Sequence, residues 1–175
     1  MIIETIKLLI NEKILRNNGK WIFDAKTLSS YNLHSTFDEL LFQHIDNMDM
    51  EKREVLKYAS IGGTFNSILI ENITFKNPDF FNYDLLPSSI EYGLKNAILE
   101  KIERGFYSFT SQKIKYYLYN KIDPEDKAAF HQLYGEYLEE HSTNDENIIF
   151  DLAYHFSRSN ELTKGVEYLI KAAEK

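Results

Sequence analysis

Apolar residues recur every three or four positions along most of the chain, which is the spacing of amphipathic helices. The first such stripe covers residues 2–10, and another follows the capping-box-like sequence Ser35-Thr36-Phe37-Asp38 as far as Met48. Between them, Asn17-Asn18-Gly19 separates two short apolar runs, which predicts a β-hairpin. We therefore expect the chain to begin with a helix, a hairpin and a second helix.

The middle of the chain predicts three helices followed by a second hairpin. The helices are expected over residues 50–61, 64–73 and 88–97, with Thr64 as the N-cap of the second and a loop between the second and third. Two strand-like runs then flank Arg104-Gly105, which has the length of a two-residue turn. Helix, helix, helix, hairpin is the layout of a winged helix.

The remainder of the chain is predicted to be helical. Thr110 or Ser111 is expected to cap one helix, and Asp123-Pro124-Glu125-Asp126 begins the next with a cap, a proline in the first turn and two acids at the positive end of the helix dipole. Beyond a polar linker, two antiparallel helices are expected over residues 148–157 and 162–175. The fold class is therefore mainly α, with short β-hairpins.

Composition supports a helical, intracellular protein. The 175 residues include 12 Tyr and 12 Phe beside only 7 Gly and 3 Pro, which favours long helices with aromatic packing. The chain has 0 Cys, so disulfides, thiol nucleophiles and Cys-based zinc sites are excluded. No apolar run is long enough for a membrane span, and the N-terminus does not resemble a signal peptide. We expect a cytoplasmic location and no membrane partner.

A series of short motifs indicates a family. In chain order they are Trp21, Leu40-Leu41, Arg53-Glu54-Val55-Leu56, Ala59-Ser60-Ile61-Gly62-Gly63, Phe65, Tyr107-x-Phe109, Tyr119, His131-Gln132-Leu133, Tyr137-Leu138-Glu139 and Leu152-Ala153-Tyr154-His155-Phe156. Their order and spacing over residues 13–175 resemble the segment that follows the nucleotide-binding core in STAND-type, AAA-like signalling ATPases. This family includes ATPases attached to adenylyl cyclases and MalT-like transcription activators.

The resemblance implies a domain organisation and a function. Residues 1–24 would end the lid of a preceding ATPase, residues 25–122 would form a winged-helix domain, and residues 123–175 would begin a tetratricopeptide-like helical array. The chain would then be a non-catalytic regulatory segment that couples nucleotide state to an effector. Its partners would be the upstream ATPase core, which holds the ATP or ADP, and proteins bound by the array. The exposed terminal helices could also form a homodimer.

The chain departs from the family pattern in two places. Ser111 stands where the family has a histidine that touches bound ADP, and no P-loop sequence is present. Thr110 and Ser111 could still contact a nucleotide phosphate in the parent protein, because a helix N-terminus favours anions. An ordinary N-cap is the simpler interpretation.

Charge is distributed unevenly along the chain. The net charge is −7, but residues 86–121 hold six basic and three acidic side chains. Such a basic stretch is suited to an acidic neighbouring domain, and the predicted interaction residues are Lys95, Lys101, Arg104, Lys113, Lys115, Tyr116 and Tyr119. Nucleic acid is not expected as the main partner, since the acidic body repels phosphate and the third helix offers no arginine to read a base.

Catalytic and metal-binding patterns are not found in the sequence. The five histidines lack metal-ligand spacing, and His131 and His155 are interpreted as packing residues with one hydrogen bond each. The neighbouring carboxylates occur at helix ends, where the dipole or solvent accounts for them. Two alternative functions remain open: a winged-helix transcription regulator that binds DNA, and a helical adaptor with no link to nucleotide.

Overall fold

The computed structural model describes residues 13–23, 45–141 and 148–175, together with the single positions 6, 9, 10, 39 and 42. Its contacts divide the chain into two compact units, Met1–Asn47 and Met48–Lys175. The boundaries predicted at residues 24 and 122 stay predictions.

The first unit contains the predicted N-terminal hairpin. Strand β1 (Leu15–Asn17) pairs antiparallel with strand β2 (Trp21–Phe23). In the turn, the Asn17 side-chain oxygen accepts a hydrogen bond of 3.0 Å from the backbone N–H of Gly19, whose φ is +84°. Glycine adopts this left-handed conformation without a steric penalty, which explains why the Asn-Asn-Gly sequence makes the turn.

Both helices predicted for the first unit lie largely outside the described residues, as does the capping sequence before the second one. The described positions that fall within the two predictions are helical, and they are Ile6, Leu9, Ile10, Glu39, Phe42, Ile45 and Asp46.

The second unit is mainly helical within its described residues. Its elements in chain order are α1 (Met50–Ala59), β3 (Thr64–Asn66), α2 (Ser67–Lys76), a 3₁₀ turn (Tyr83–Leu85), α3 (Leu86–Lys95), β4 (Leu99–Glu103), β5 (Phe106–Phe109), α4 (Gln112–Tyr119), α5 (Pro124–His141), α6 (Ile148–Phe156) and α7 (Leu162–Ala173). Every helix in this part of the chain is too short or too polar to cross a bilayer.

Three of the strands form an antiparallel sheet in the order β3-β5-β4. The hairpin of β4 and β5 confirms the prediction made around Arg104-Gly105, and Gly105 supplies the positive φ of +81° at the turn. Phe65 on β3 lies opposite Tyr107 on the central strand, and Leu99 lies opposite Phe109. The inner face of the sheet therefore presents aromatic side chains to the helices.

The prediction for Thr64 is wrong. Thr64 belongs to strand β3, and the N-cap of α2 is Asn66, whose side-chain oxygen accepts a hydrogen bond of 2.9 Å from the N–H of Ile68. The helix also continues to Lys76, so it extends into the predicted loop. A strand of three residues has no periodicity of its own, and its extended backbone is held by pairing with β5.

The core of the second unit is formed by apolar side chains from the sheet and from helices α1 to α6. Val55, Leu56 and Ala59 are buried on α1, as predicted. The largest fully buried apolar side chains include Phe65, Ile61, Ile70, Ile98, Ile114, Leu118, Phe130 and Phe156. Tyr117, which was predicted to share the buried face of α4, is only half-buried.

The last three helices pack closely around one aromatic side chain. Phe156, at the end of α6, is fully buried between Gly135 on α5 and Gly165 on α7. A Cβ at Gly165 would lie 2.8 Å from the Phe156 carbonyl oxygen, and a Cβ at Gly135 would lie 3.0 Å from the Phe156 ring. The ring of Tyr168 stacks on Phe156 with centroids 5.4 Å apart. The two glycines therefore set how closely these helices approach.

Candidate functional site

Two buried histidines join α5 to α6. The Nδ1 atoms of His131 and His155 lie 3.0 Å apart, and the Nε2 atom of His131 lies 3.0 Å from the hydroxyl of Tyr119 on α4. One Nδ1 must carry a proton and donate it in a hydrogen bond, and the other Nδ1 must accept that bond with its lone pair. The two rings therefore hold complementary tautomers. His131 therefore makes two hydrogen bonds where one was predicted, and three helices share one polar chain.

Both histidines are neutral at neutral pH. Burial is the main cause, and it lowers the pKa of His131 to about 3 and that of His155 well below its ordinary value. Neighbouring cations lower both pKa values further, and every charged residue that perturbs His131 is an Arg or a Lys. The ring of Tyr134 stacks on His155 at 4.1 Å. The histidine pair thus forms a neutral, aromatic layer beneath positive charge.

Three cations surround this layer, and we call them the cation cluster: Lys115, Lys127 and Arg158. The Lys127 ammonium lies 4.3 Å from the ring centroid of Tyr119, and the Arg158 guanidinium lies 4.0 Å from that of Tyr154. Arg158 also donates from Nη1 to the Tyr154 carbonyl oxygen at 3.2 Å. Aromatic faces attract cations through the ring quadrupole, so the rings hold these side chains in place.

Lys115 is a half-buried member of the cation cluster. Its Nζ lies 3.0 Å from the position that a Cβ on Gly63 would occupy, so the side chain rests against bare backbone. Burial lowers the pKa of Lys115, and the nearby charge of Arg158 lowers it further. Gly63, in the turn between α1 and β3, has a φ of +81°, and the absence of a side chain there leaves the space that Lys115 fills.

The predicted interaction residues divide between this site and other surfaces. Lys115 and Tyr119 join the histidine pair and the cation cluster. Tyr116, on the same helix, is 58% exposed, and Lys113 is exposed in the first turn of α4. The other three predicted residues are also exposed: Lys95 lies on α3, Lys101 lies on β4, and Arg104 lies in the turn between β4 and β5. The role of these residues in binding stays a prediction.

The hydroxyl groups at the start of α4 are engaged by backbone. Ser111 Oγ accepts a hydrogen bond of 3.2 Å from the N–H of Lys113, which confirms Ser111 as the N-cap. Thr110 Oγ1 donates to the carbonyl oxygen of Ala97 at 2.6 Å. These bonds fit the capping interpretation, and a nucleotide-phosphate contact at Thr110 and Ser111 stays a prediction.

The second unit also has two cavities among its described residues, and one of them reaches the histidine pair. One of about 600 Å³ is bordered by Gly62, Thr64, Tyr134, His141, Asp151 and His155, among other residues. The second, of about 430 Å³, lies along α2 and α3, and its acidic lining residues are Glu71, Asp84 and Glu91. Carboxylates at this position oppose the approach of a phosphate backbone. Within the described ranges, no three His, Asp or Glu side chains are placed to hold a metal ion.

Sequence reasoning did not identify Lys127, Tyr154 and Arg158 as site residues. A local signal was present, because Lys115 and Tyr119 are four residues apart on a predicted helix, and Tyr154 and Arg158 have the same spacing across the end of another. The proximity of the two pairs depends on how α4 and α6 pack against α5. No local pattern in the sequence indicates that packing.

Compared with protein-family models, with curated proteins and with solved structures, the chain matches none of them. The relationship to STAND-type ATPases therefore rests on the motifs in the sequence and stays a hypothesis.

Proposed function

We propose that this chain is a non-catalytic regulatory and protein-interaction segment of a larger STAND-type signalling ATPase. In this proposal, a winged-helix domain moves with the nucleotide state of an ATPase core, and a tetratricopeptide-like array binds other proteins. The parent protein is cytoplasmic, and its core holds the ATP or ADP.

The observation that carries the proposal is the topology of the second unit. The elements follow the order α1, β3, α2, α3, β4, β5, and the sheet has the order β3-β5-β4. A winged helix has this arrangement of three helices and a three-stranded antiparallel sheet, in which the last two strands form the wing. The hairpin of β4 and β5 would be the wing, and α3 would be the helix that precedes it.

The three helices after α4 support the second half of the proposal. Helices α6 and α7 are joined by a short turn, in which Ser159 Oγ donates to the Phe156 carbonyl oxygen and accepts from the N–H of Glu161. They pack tightly at Gly165. Helical-repeat proteins bury their apolar surface by stacking such helical pairs on neighbours.

An uncovered apolar stripe on α7 fits a repeat that has further contacts to make. Leu162, Val166 and Leu169 recur at helical spacing, and their side chains are 71%, 58% and 49% exposed. A following helical pair, a bound protein or a second copy of the chain would each cover this stripe. The homodimer predicted from the terminal helices would use the same surface.

Several polar side chains of the second unit have structural roles that agree with a non-catalytic segment. Both ring nitrogens of His131 are engaged by hydrogen bonds, and the hydroxyls of Thr110 and Ser111 bond to backbone. A general base needs a lone pair directed at a substrate and a pKa close to the working pH. His131 has neither property, because its ring nitrogens are engaged within the protein and burial lowers its pKa to about 3.

The test uses ATP. We expect the isolated chain to release no phosphate from Mg-ATP and to give no calorimetric signal at micromolar ATP. Turnover, or tight binding of ATP, would contradict the non-catalytic assignment. The gene sequence that precedes this segment is expected to encode G-x-x-x-x-G-K-[ST]. An upstream sequence without a P-loop would remove the ATPase from the proposal and leave the helical adaptor.

A further inference from the structure

The cation cluster has no carboxylate partner in the described part of the chain. Elsewhere in the described part of the chain, Lys57, Lys164 and Lys171 form ion pairs with glutamates. Lys115, Lys127 and Arg158 are held by ring faces, backbone and one serine hydroxyl instead. Three positive charges thus gather on one aromatic layer in a protein whose net charge is −7.

The mutual repulsion of these three cations opposes folding when no anion is bound. Like charges close to each other repel, and the repulsion is stronger where burial removes water from one of them. Lys115 is half-buried, and the neutral rings of His131 and His155 offer no negative charge to compensate it. A surface anion would relieve the repulsion and make use of the low local dielectric.

The donors that remain unused define the ligand. Arg158 uses Nη1 for its two hydrogen bonds within the described residues, so Nε and Nη2 are available. The three N–H bonds of Lys115 are likewise available to a ligand. Arg158 lies on the ring of Tyr154, and Lys115 lies one helical turn before Tyr119; both tyrosine rings contact His131, with centroids 5.6 and 5.9 Å away. A guanidinium and an ammonium on the same layer match a group with several acceptor oxygens and two negative charges, because a single carboxylate would neutralise only one of the cations.

We propose that Lys115 and Arg158, with Lys127 at the side, form a binding site for a phosphate group. Arg158 would donate from its guanidinium to two phosphate oxygens, and the Lys115 ammonium would donate to a third. The aromatic layer beneath them holds the cations in position and limits their hydration. The site is distinct from the hydroxyls at the start of α4, and it requires no ATPase core.

The experiment measures thermal unfolding of the 175-residue chain in sodium phosphate and in sodium chloride at equal ionic strength and at pH 7.5. Phosphate should raise the Tm of the wild type by about 3–6 °C at ten times its dissociation constant. The same titration with phosphoserine shows whether the site binds a phosphate carried by a protein or free inorganic phosphate. Binding tighter than that of inorganic phosphate indicates a protein-borne phosphate, and equal binding indicates a free one.

Two variants make the result specific. Lys115→Gln should abolish the phosphate-dependent shift, whereas Lys101→Gln, which removes the same charge from an exposed strand position, should keep it. Without phosphate, Lys115→Gln should have a Tm equal to or above that of the wild type, because the repulsion with Arg158 is gone. When phosphate is added, the Tm of the wild type should rise above that of Lys115→Gln.

A second measurement needs only the wild type. The NMR titration of the Lys115 side chain should show its pKa rising when phosphate is added, since the anion stabilises the charged ammonium. A Tm that does not respond to phosphate beyond chloride at 100 mM would overturn the proposal. An equal response from the Lys115→Gln and Lys101→Gln variants would also overturn it, as would an unchanged pKa of Lys115.

Discussion

His131 and His155 face each other through their Nδ1 atoms at 3.0 Å, inside a layer where both rings are almost fully removed from solvent. One proton lies between two nitrogens, so the pair is stable only while at least one ring is neutral. Because Tyr119 is hydrogen-bonded to the other side of His131, this contact connects α4, α5 and α6. Protonation of the pair is therefore coupled to the packing of all three helices.

The first prediction concerns acid stability. Burial lowers the pKa of both histidines in the folded state, whereas in the unfolded chain a histidine has a pKa near 6.5. The unfolded state therefore binds more protons below pH 6.5, and the free energy of unfolding should decrease as pH falls from about 6.5 towards 4. The slope should reach about 1.4 kcal/mol per pH unit for each histidine.

Urea unfolding between pH 7.5 and 5 measures this slope. His155→Phe keeps an aromatic ring against Tyr134 and removes one titrating group, so its slope should be about half that of the wild type. Equal slopes in the wild type and His155→Phe would contradict the prediction.

The second prediction concerns the contact between α6 and α7. Gly165→Ala should lower the free energy of unfolding by about 1–3 kcal/mol, because the new Cβ would meet the backbone carbonyl of Phe156 at 2.8 Å. Gly135→Ala should cost less, since its Cβ meets the Phe156 ring at 3.0 Å and a ring can move more easily than backbone. Alanine favours a helix over glycine by a similar amount at both positions.

Chemical denaturation of the two variants tests this ranking. If Gly165→Ala proved as stable as the wild type, α6 and α7 could not approach as closely as described.

The third prediction concerns Glu139, which links α5 to α7. It accepts hydrogen bonds from Tyr168 at 2.5 Å and from Lys164 at 2.7 Å. Burial opposes the charge of Glu139, but the two donors outweigh it and lower the carboxyl pKa. Burial and the Glu139 charge together raise the pKa of Tyr168 to about 12.

Tyr168→Phe keeps the ring stacked on Phe156 and removes only the hydroxyl, so we expect a loss of about 0.5–1.5 kcal/mol in the free energy of unfolding. Tyr116→Phe is the matched control, because the Tyr116 side chain is exposed, and its stability should not change. A loss of equal size in both variants, measured by urea unfolding, would show that the Glu139 contact contributes nothing.

The fourth prediction follows from the apolar stripe on α7. Replacing Val166 and Leu169 by Asp should abolish association with a second copy of the chain, because charges would enter the surface that the contact covers. The exposed Ile68 on α2 provides a control, since Ile68→Asp should leave association unchanged. Sedimentation analysis over a range of protein concentrations measures the effect. A wild type that stays monomeric at all concentrations would contradict the homodimer.

Local sequence signals predicted most of the elements. Asn17-Asn18-Gly19 and Arg104-Gly105 predicted both hairpins, and the observed cap of α4, Ser111, is one of the two residues predicted for it. The acidic start before Pro124 also marks the observed beginning of α5. Each of these signals acts within a few residues, through positive φ, side-chain capping or a fixed proline φ, so it can be interpreted without knowing the rest of the fold.

Strand β3 could not be predicted from local sequence signals. Thr64 looked like a helix cap because threonine is a common N-cap residue, and the following residues have a helical pattern. In the fold, the backbone of Thr64–Asn66 is extended because β5 lies beside it and bonds to it. That partner lies about forty residues further along the chain, so a window of neighbouring residues could not indicate it.

The sequence alone determined the helical class, the positions of the turns and caps, and the basic character of the stretch around α4, because each of these depends on side chains close together in the chain. The tertiary structure decided how the sheet is ordered and which charges meet. Lys115 and Arg158 are separated by 43 residues of sequence, and the packing of α4, α5 and α6 around two neutral histidines brings them to the same aromatic layer. Burial there removes water, which turns ordinary surface residues into a coupled set of charges and rings.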